Sequence, residues 1–185
     1  MDTRVRAPET VDRIRGAALA LFSRQGYQRT SLREIADELG FTKAALYYHY
    51  RSKGDLLAAV LEPLLGDLEE LVAASADPDR RMARERFLAG YLEVLLRHRP
   101  VLRYLVNDPA GVVDSALAPR LQRIRAAALE LVGAAEGSMV ERMRSSAALG
   151  ALQAAILVVE DDDDELEVRA TALETVYRVL LPARD

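Results

Sequence analysis

The apolar residues of this chain recur at three- and four-residue intervals almost from end to end, and no stretch sustains an apolar–polar alternation. Val11, Ile14, Ala18, Leu21 and Phe22 fall on one helical face, as do Leu56, Leu57, Val60, Leu61, Leu64, Leu68 and Leu71. Asn-Gly and Asp-Gly, the strongest hairpin signals, do not occur. The spacing predicts an all-α protein of about nine helices. The first runs from Glu9 to Arg24, the second from Ser31 to Gly40, and a short third from Lys43 to His49. Ser52 with Asp55 opens a long fourth helix, in which Pro63 predicts a kink rather than an end because the apolar repeat continues beyond it. Further helices are expected over Asp79 to His98, Pro100 to Val106, Ser115 to Ala135, Ser138 to Val159 and Asp163 to Leu181, with Asn107 to Gly111 as a loop. His98, between Arg97 and Arg99, reads as a solvent-facing helix end.

Composition removes several kinds of chemistry. The 185 residues include no cysteine and two histidines, His49 and His98, so disulfides, thiolate metal sites and cysteine nucleophiles are excluded. Neither histidine has a recognisable partner for acid–base or nucleophilic work, so no catalytic residue, cofactor or metal ligand is assigned. The run Glu160 to Glu165 carries no calcium-loop spacing and reads as a solvated loop whose later carboxylates favour the last helix start. The opening stretch Met1 to Pro8 is charged and lacks the apolar segment of a secretory signal. No apolar run approaches the roughly 20 residues of a bilayer span. A cytoplasmic protein without membrane contact is expected.

Charge is unevenly spread. Residues 1–54 carry ten Arg or Lys against six Asp or Glu, whereas residues 55–185 carry 15 against 23. Both lysines and six of the ten aromatics lie in the first segment. That division predicts a basic module at 1–54 suited to a polyanion, joined to an acidic body at 55–185.

The segment from Leu32 to His49 is the most specific part of the chain. Ser31 and Glu34 have the spacing of a capping box, Gly40 stands where a helix needs a left-handed exit, and Thr42 can cap the next helix. Ile35, Leu39 and Leu46 point inward, Ala36 permits close helix crossing, and Phe41 fills the space beneath the turn. This is a helix-turn-helix pattern, whose second helix can enter a major groove. Arg29, Thr30, Arg33, Lys43, Arg51 and Lys53 surround it. Thr42, Lys43, Ala44, Ala45 and Tyr48 occupy positions from which base edges and thymine methyls are reachable. Tyr47, His49 and Tyr50 are open to two readings: contact with phosphates, or packing in the core.

The runs Phe22 to Ala36 and Phe41 to Leu57 resemble the signature of the tetracycline-repressor (TetR) family of bacterial regulators. The resemblance covers about 50 residues and implies a three-helix DNA-binding head, a larger helical bundle for effector binding, and a homodimer. It further implies a repressor that binds a pseudo-palindromic double-stranded operator and is released by a small molecule. An activator, or a regulator without an effector, is the alternative. Thr30 and Arg33 match backbone-side positions, Thr42, Lys43, Ala44, Ala45, Tyr47 and Tyr48 the recognition helix, and His49 and Lys53 phosphate-side positions. Phe41 stands where a smaller aliphatic is commoner. Ala44-Ala45 replaces a frequent Gly-Thr pair, which leaves fewer polar contacts for base readout.

In the body, Phe87 and Tyr91 lie four apart beside Leu95, and Tyr104 follows. Core packing is the first reading of these four; the alternative is that they border an effector pocket. The last two helices, rich in Ala, Gly and Leu, are the expected dimer interface. Coupling to the head is expected through the fourth helix and Pro63.

Overall fold

The computed structural model describes residues 7–113, 116–133 and 138–180. Within them the chain is helical, with no strand. In order, the helices are α1 (Ala7–Gln25), α2 (Leu32–Leu39), α3 (Lys43–His49), α4 (Lys53–Ala74), α5 (Arg80–Arg97), α6 (Arg99–Asn107), α7 (Ala110–Val113), α8 (Ala118–Val132), α9 (Met139–Val158) and α10 (Glu165–Leu180). Nine of these match the spacing in the sequence. The tenth, α7, is a single turn inside the expected Asn107 to Gly111 loop, where the Val112 amide bonds back to the Pro109 carbonyl. Among the described residues, no helix is long and apolar enough to cross a membrane.

Two compact units can be distinguished. The first comprises the chain up to Pro63 together with Arg103–Ala118; the second comprises Leu64–Leu102 and the chain from Pro119 on. The sequence boundary at residue 54 therefore falls inside the first unit. The reason is that α4 begins in that unit's core, burying Leu56, Leu57, Val60 and Leu61. α4 stays helical through Pro63, an exposed position at which the first unit ends.

The core of the first unit forms where α1 packs on α2 and α2 on α3. It contains Ile14, Ala18, Phe22, Ile35, Ala36 and Leu46, all at or near complete burial. In the second unit α5, α9 and α10 pack on one another, burying Phe87, Leu88, Leu92, Leu152, Ile156 and Val176. Gly90 lets α5 approach α4 closely, because a Cβ there would collide with the Leu71 side chain.

His98 differs from the sequence reading. Its side chain is largely buried, with Nε2 2.9 Å from Asp67 Oδ2, and Arg97 donates to the same oxygen at 2.7 Å. The acidic run also has structural employment. Asp164 accepts from the Leu166 and Glu167 amides at the start of α10, Asp163 accepts from the Glu160 amide, and Asp161 pairs with Arg99. The expected seventh helix, α8 in the structure, ends earlier because Gly133, at φ +112°, turns the chain out after Val132. Its expected first residue, Ser115, and its last two, Ala134 and Ala135, lie outside the described residues.

Candidate nucleic-acid interface

The helix-turn-helix is assembled by local bonds. Ser31 Oγ accepts from the Glu34 amide at 3.2 Å, and Glu34 accepts from the Ser31 amide at 2.7 Å. The Ser31 hydroxyl also donates to the Glu34 carboxylate at 2.7 Å, and this bond first, then the one from the Ser31 amide, holds the Glu34 carboxyl below its usual pKa. Gly40 leaves α2 at φ +67°, a region glycine enters at little cost, while the Phe41 amide returns to the Ala36 carbonyl at 2.8 Å. Thr42 Oγ1 then caps α3 through the Ala45 amide at 3.1 Å. Leu46 is fully buried and fixes the inward face of α3; Leu39 is half-buried. Phe41 is half-buried beneath the Arg13 guanidinium, 5.4 Å from its ring centre.

With Leu46 inward, the opposite face of α3 is bare. Thr42, Lys43, Ala44 and Ala45 are exposed, Tyr47 is 42% exposed and Tyr48 87% exposed. The Lys43 ammonium sits 5.4 Å from the Tyr47 ring centre, and His49, half-buried, meets the Tyr48 ring edge-on. Tyr50 is buried, so of its two readings the geometry selects core packing. Arg29 and Arg33 are exposed beside α2, Arg29 donating to the Gln25 carbonyl and Arg33 lying 3.7 Å from Asp37.

Two residues expected at this surface are employed inside the fold. Thr30 is 2% exposed; its hydroxyl donates to the Gly26 carbonyl at 2.8 Å and accepts from Gln25. Lys53 directs its ammonium at the carbonyls of Tyr27, Gln28 and Thr30, at 2.7, 3.2 and 2.9 Å. Three donors meet three acceptors, so the group is saturated. Burial pushes the Lys53 pKa down, with Glu34 and Asp108 acting against the shift.

The four body candidates are divided between the two units. Phe87 and Tyr91 stack at 5.5 Å beside buried Leu95 in the second unit, and the Tyr91 hydroxyl accepts from Gln153 Nε2 at 2.7 Å. Tyr104 belongs to the first unit, 5.9 Å from the Phe22 ring. Tyr104 is 1% exposed there. α6 carries Tyr104 past the boundary at Leu102, and its hydroxyl is buried without a partner among the described residues. The second unit has an open cavity of about 400 Å³ lined by charged residues of α5 and α10, including Glu93, Arg97 and Arg169. Among the described residues no group of three or more His, Asp or Glu is placed to hold a metal.

Sequence reasoning missed three residues of the first unit: Tyr27, Asp108 and Gly111. Asp108 Oδ2 accepts from the Tyr27 amide at 2.5 Å across 81 positions of sequence. Gly111 lies flush against the Tyr27 ring and the Tyr104 hydroxyl, where a Cβ would approach to 2.8 and 2.9 Å. No local spacing signals such a contact.

The family model for bacterial regulatory proteins of the tetR family matches residues 14–60, which include α2, the turn and α3. Over that segment the chain is similar to the tetR family. Its relatives include the HTH-type transcriptional regulator AcrR of Shigella flexneri, 32% identical over 127 residues, 65% of this chain and 59% of the relative. The HTH-type transcriptional repressor KstR2 of Mycobacterium tuberculosis strain H37Rv is 31% identical over 91 residues, 47% of this chain and 45% of the relative. The chain thus spans well under two thirds of these relatives' length. Solved TetR-family folds cover more. A TetR-like transcriptional regulator from Rhodococcus sp. RHA1 superposes with a TM-score of 0.68 at 27% identity, over 96% of this chain and 98% of the other. The structure of KstR2 gives 0.75 at 14% identity, over 95% of each chain, a likeness of fold.

Proposed function

We infer that this chain is a DNA-binding transcription regulator of the TetR family, a repressor that binds a pseudo-palindromic operator as a homodimer. The observation that carries the reading is the bare outer face of α3, Thr42 to Ala45 with Tyr47 and Tyr48, on a helix whose inner face is anchored by Leu46. Ala44 and Ala45 offer methyl groups to thymine, Lys43 offers a donor to guanine, and Arg29, Arg33 and His49 flank the helix on the phosphate side. That KstR2 is named a repressor supports the direction of regulation.

Dimerisation through α9 and α10 is supported by their surface. Met139, Met143, Ala147, Gly150, Ala154 and Val158 form an exposed small and apolar stripe along α9, and Leu166 of α10 is also exposed. A homodimer supplies two α3 helices, one for each half of an inverted repeat. Release by a small molecule is assigned to the second unit, with Phe87, Tyr91 and Leu95 as its aromatic and aliphatic wall.

The test is selection of DNA. Sheared DNA from the organism that encodes the chain is passed over the immobilised protein and the retained fragments are sequenced. Enrichment of fragments sharing an inverted repeat is expected. Retention that mirrors the input composition would contradict the reading.

A further inference from the structure

The loop between α1 and α2, residues 26–31, is held from two sides by residues far away in sequence. On one side Lys53, the first residue of α4, donates to the carbonyls of Tyr27, Gln28 and Thr30. On the other, Asp108, the residue just after α6, accepts from the Tyr27 amide. That amide follows the Gly26 turn, at φ +87°, and so has left the α1 ladder. The loop runs straight into the α2 cap: Thr30 bonds back to Gly26, and Gln25 reaches both Thr30 and Glu34, the partner of Ser31. α4 and α6 are each continuous with the second unit, through Pro63–Leu64 and Leu102–Arg103. Two helices that cross the unit boundary therefore meet the same short loop at their ends in the first unit.

We propose that Asp108 is a positioning residue for DNA recognition: its bond to the Tyr27 amide sets the course of the α1–α2 loop against Lys53, and with it the seat of α2 and α3. This rests on the DNA-binding reading above. A shift of α6 along its axis moves the acceptor and draws on the chain that enters α2. Gly111 keeps the route short, since any side chain there would wedge the α6–α7 turn away from the Tyr27 ring.

Charge and position predict opposite outcomes, which makes the test sharp. Removing a carboxylate from a DNA-binding protein strengthens its attraction to phosphates. Asp108→Ala is nevertheless expected to bind the duplex enriched in the selection above about tenfold more weakly, in line with loss of one hydrogen bond to a charged acceptor. Asp108→Asn keeps an acceptor oxygen without the charge and is expected to bind like the parent. In native-state hydrogen exchange without DNA, the Tyr27 amide is expected to exchange faster in Asp108→Ala and unchanged in Asp108→Asn. Should Asp108→Ala lose its helical circular dichroism, Asp108→Glu, which displaces the acceptor by one methylene, replaces it with the same expected weakening. Asp108→Ala binding as tightly as the parent, or more tightly, would overturn the assignment. A parent protein that enriches no duplex would instead overturn the functional reading, and this assignment with it.

Discussion

The Lys53 ammonium lies 4.3 Å from the centre of the Tyr27 ring while donating to the Tyr27 carbonyl at 2.7 Å, so one cation binds both the face of a side chain and the backbone that carries it. A lysine at a helix start within a basic head invites assignment to a phosphate, and the geometry gives it an internal task instead. Lys53→Met keeps the stem and removes the donors. It is expected to lower stability by about 1–2 kcal/mol, read from urea unfolding. It is also expected to leave the slope of log affinity against log salt as in the parent. A phosphate contact would reduce that slope by about 0.9.

Tyr104 supplies a second test because its hydroxyl is buried and unpartnered among the described residues. Burial first, then the Asp108 carboxylate and Tyr27, push its pKa up. Tyr104→Phe removes a polar atom that has no partner to lose, so at neutral pH the variant is expected to be as stable as the parent or more so. The raised pKa fixes the sign of the alkaline effect. In the folded state the phenol keeps its proton above the ordinary value, so its contribution is complete below about pH 10 and is lost as pH rises further. The parent is therefore expected to lose stability above about pH 10 faster than Tyr104→Phe, measured by denaturant titration at a series of pH values.

Asp67 of α4 accepts from His98 and Arg97 at the α5–α6 junction, and these bonds, His98 first, hold its carboxyl below the usual range. A lowered carboxyl pKa contributes stability above its unfolded value, about 4, and loses it as pH falls. His98→Ala is expected to cost about 1 kcal/mol near neutral pH. The difference from the parent is expected to shrink as the solution is acidified below about pH 4, as Asp67 is protonated. A difference independent of pH would show that His98 acts by packing alone.

Local chemistry was legible in the sequence; long-range chemistry was not. Ser31 with Glu34, Gly40 and Thr42 announce the helix-turn-helix because caps and turns depend on offsets of a few residues. Tyr48 was legible as an outward position for the same reason. Lys53, Asp108 and Gly111 act on a loop 23 to 84 positions away, and nothing near them in sequence marks that partnership. Tyr104 follows Phe87, Tyr91 and Leu95 closely in sequence, but α6 carries it into the core of the first unit, which no local spacing marks. His98 was misread as exposed because its partner lies on α4, 31 positions earlier.

The central claim is that the outer face of α3 reads DNA, and the most direct measurement is the affinity of the parent and the Lys43→Ala/Tyr48→Ala double variant for the enriched duplex and a scrambled duplex of equal length. Fluorescence anisotropy across a salt series provides both affinity and slope. Both side chains are exposed, so the variant is expected to fold as the parent does. The account predicts that the parent prefers the enriched duplex by at least about a thousandfold, with binding that weakens steeply in salt. It predicts that the variant loses most of that preference while retaining weak binding to both duplexes. Equal affinity of the parent for the two duplexes, or full preference retained in the variant, would contradict it.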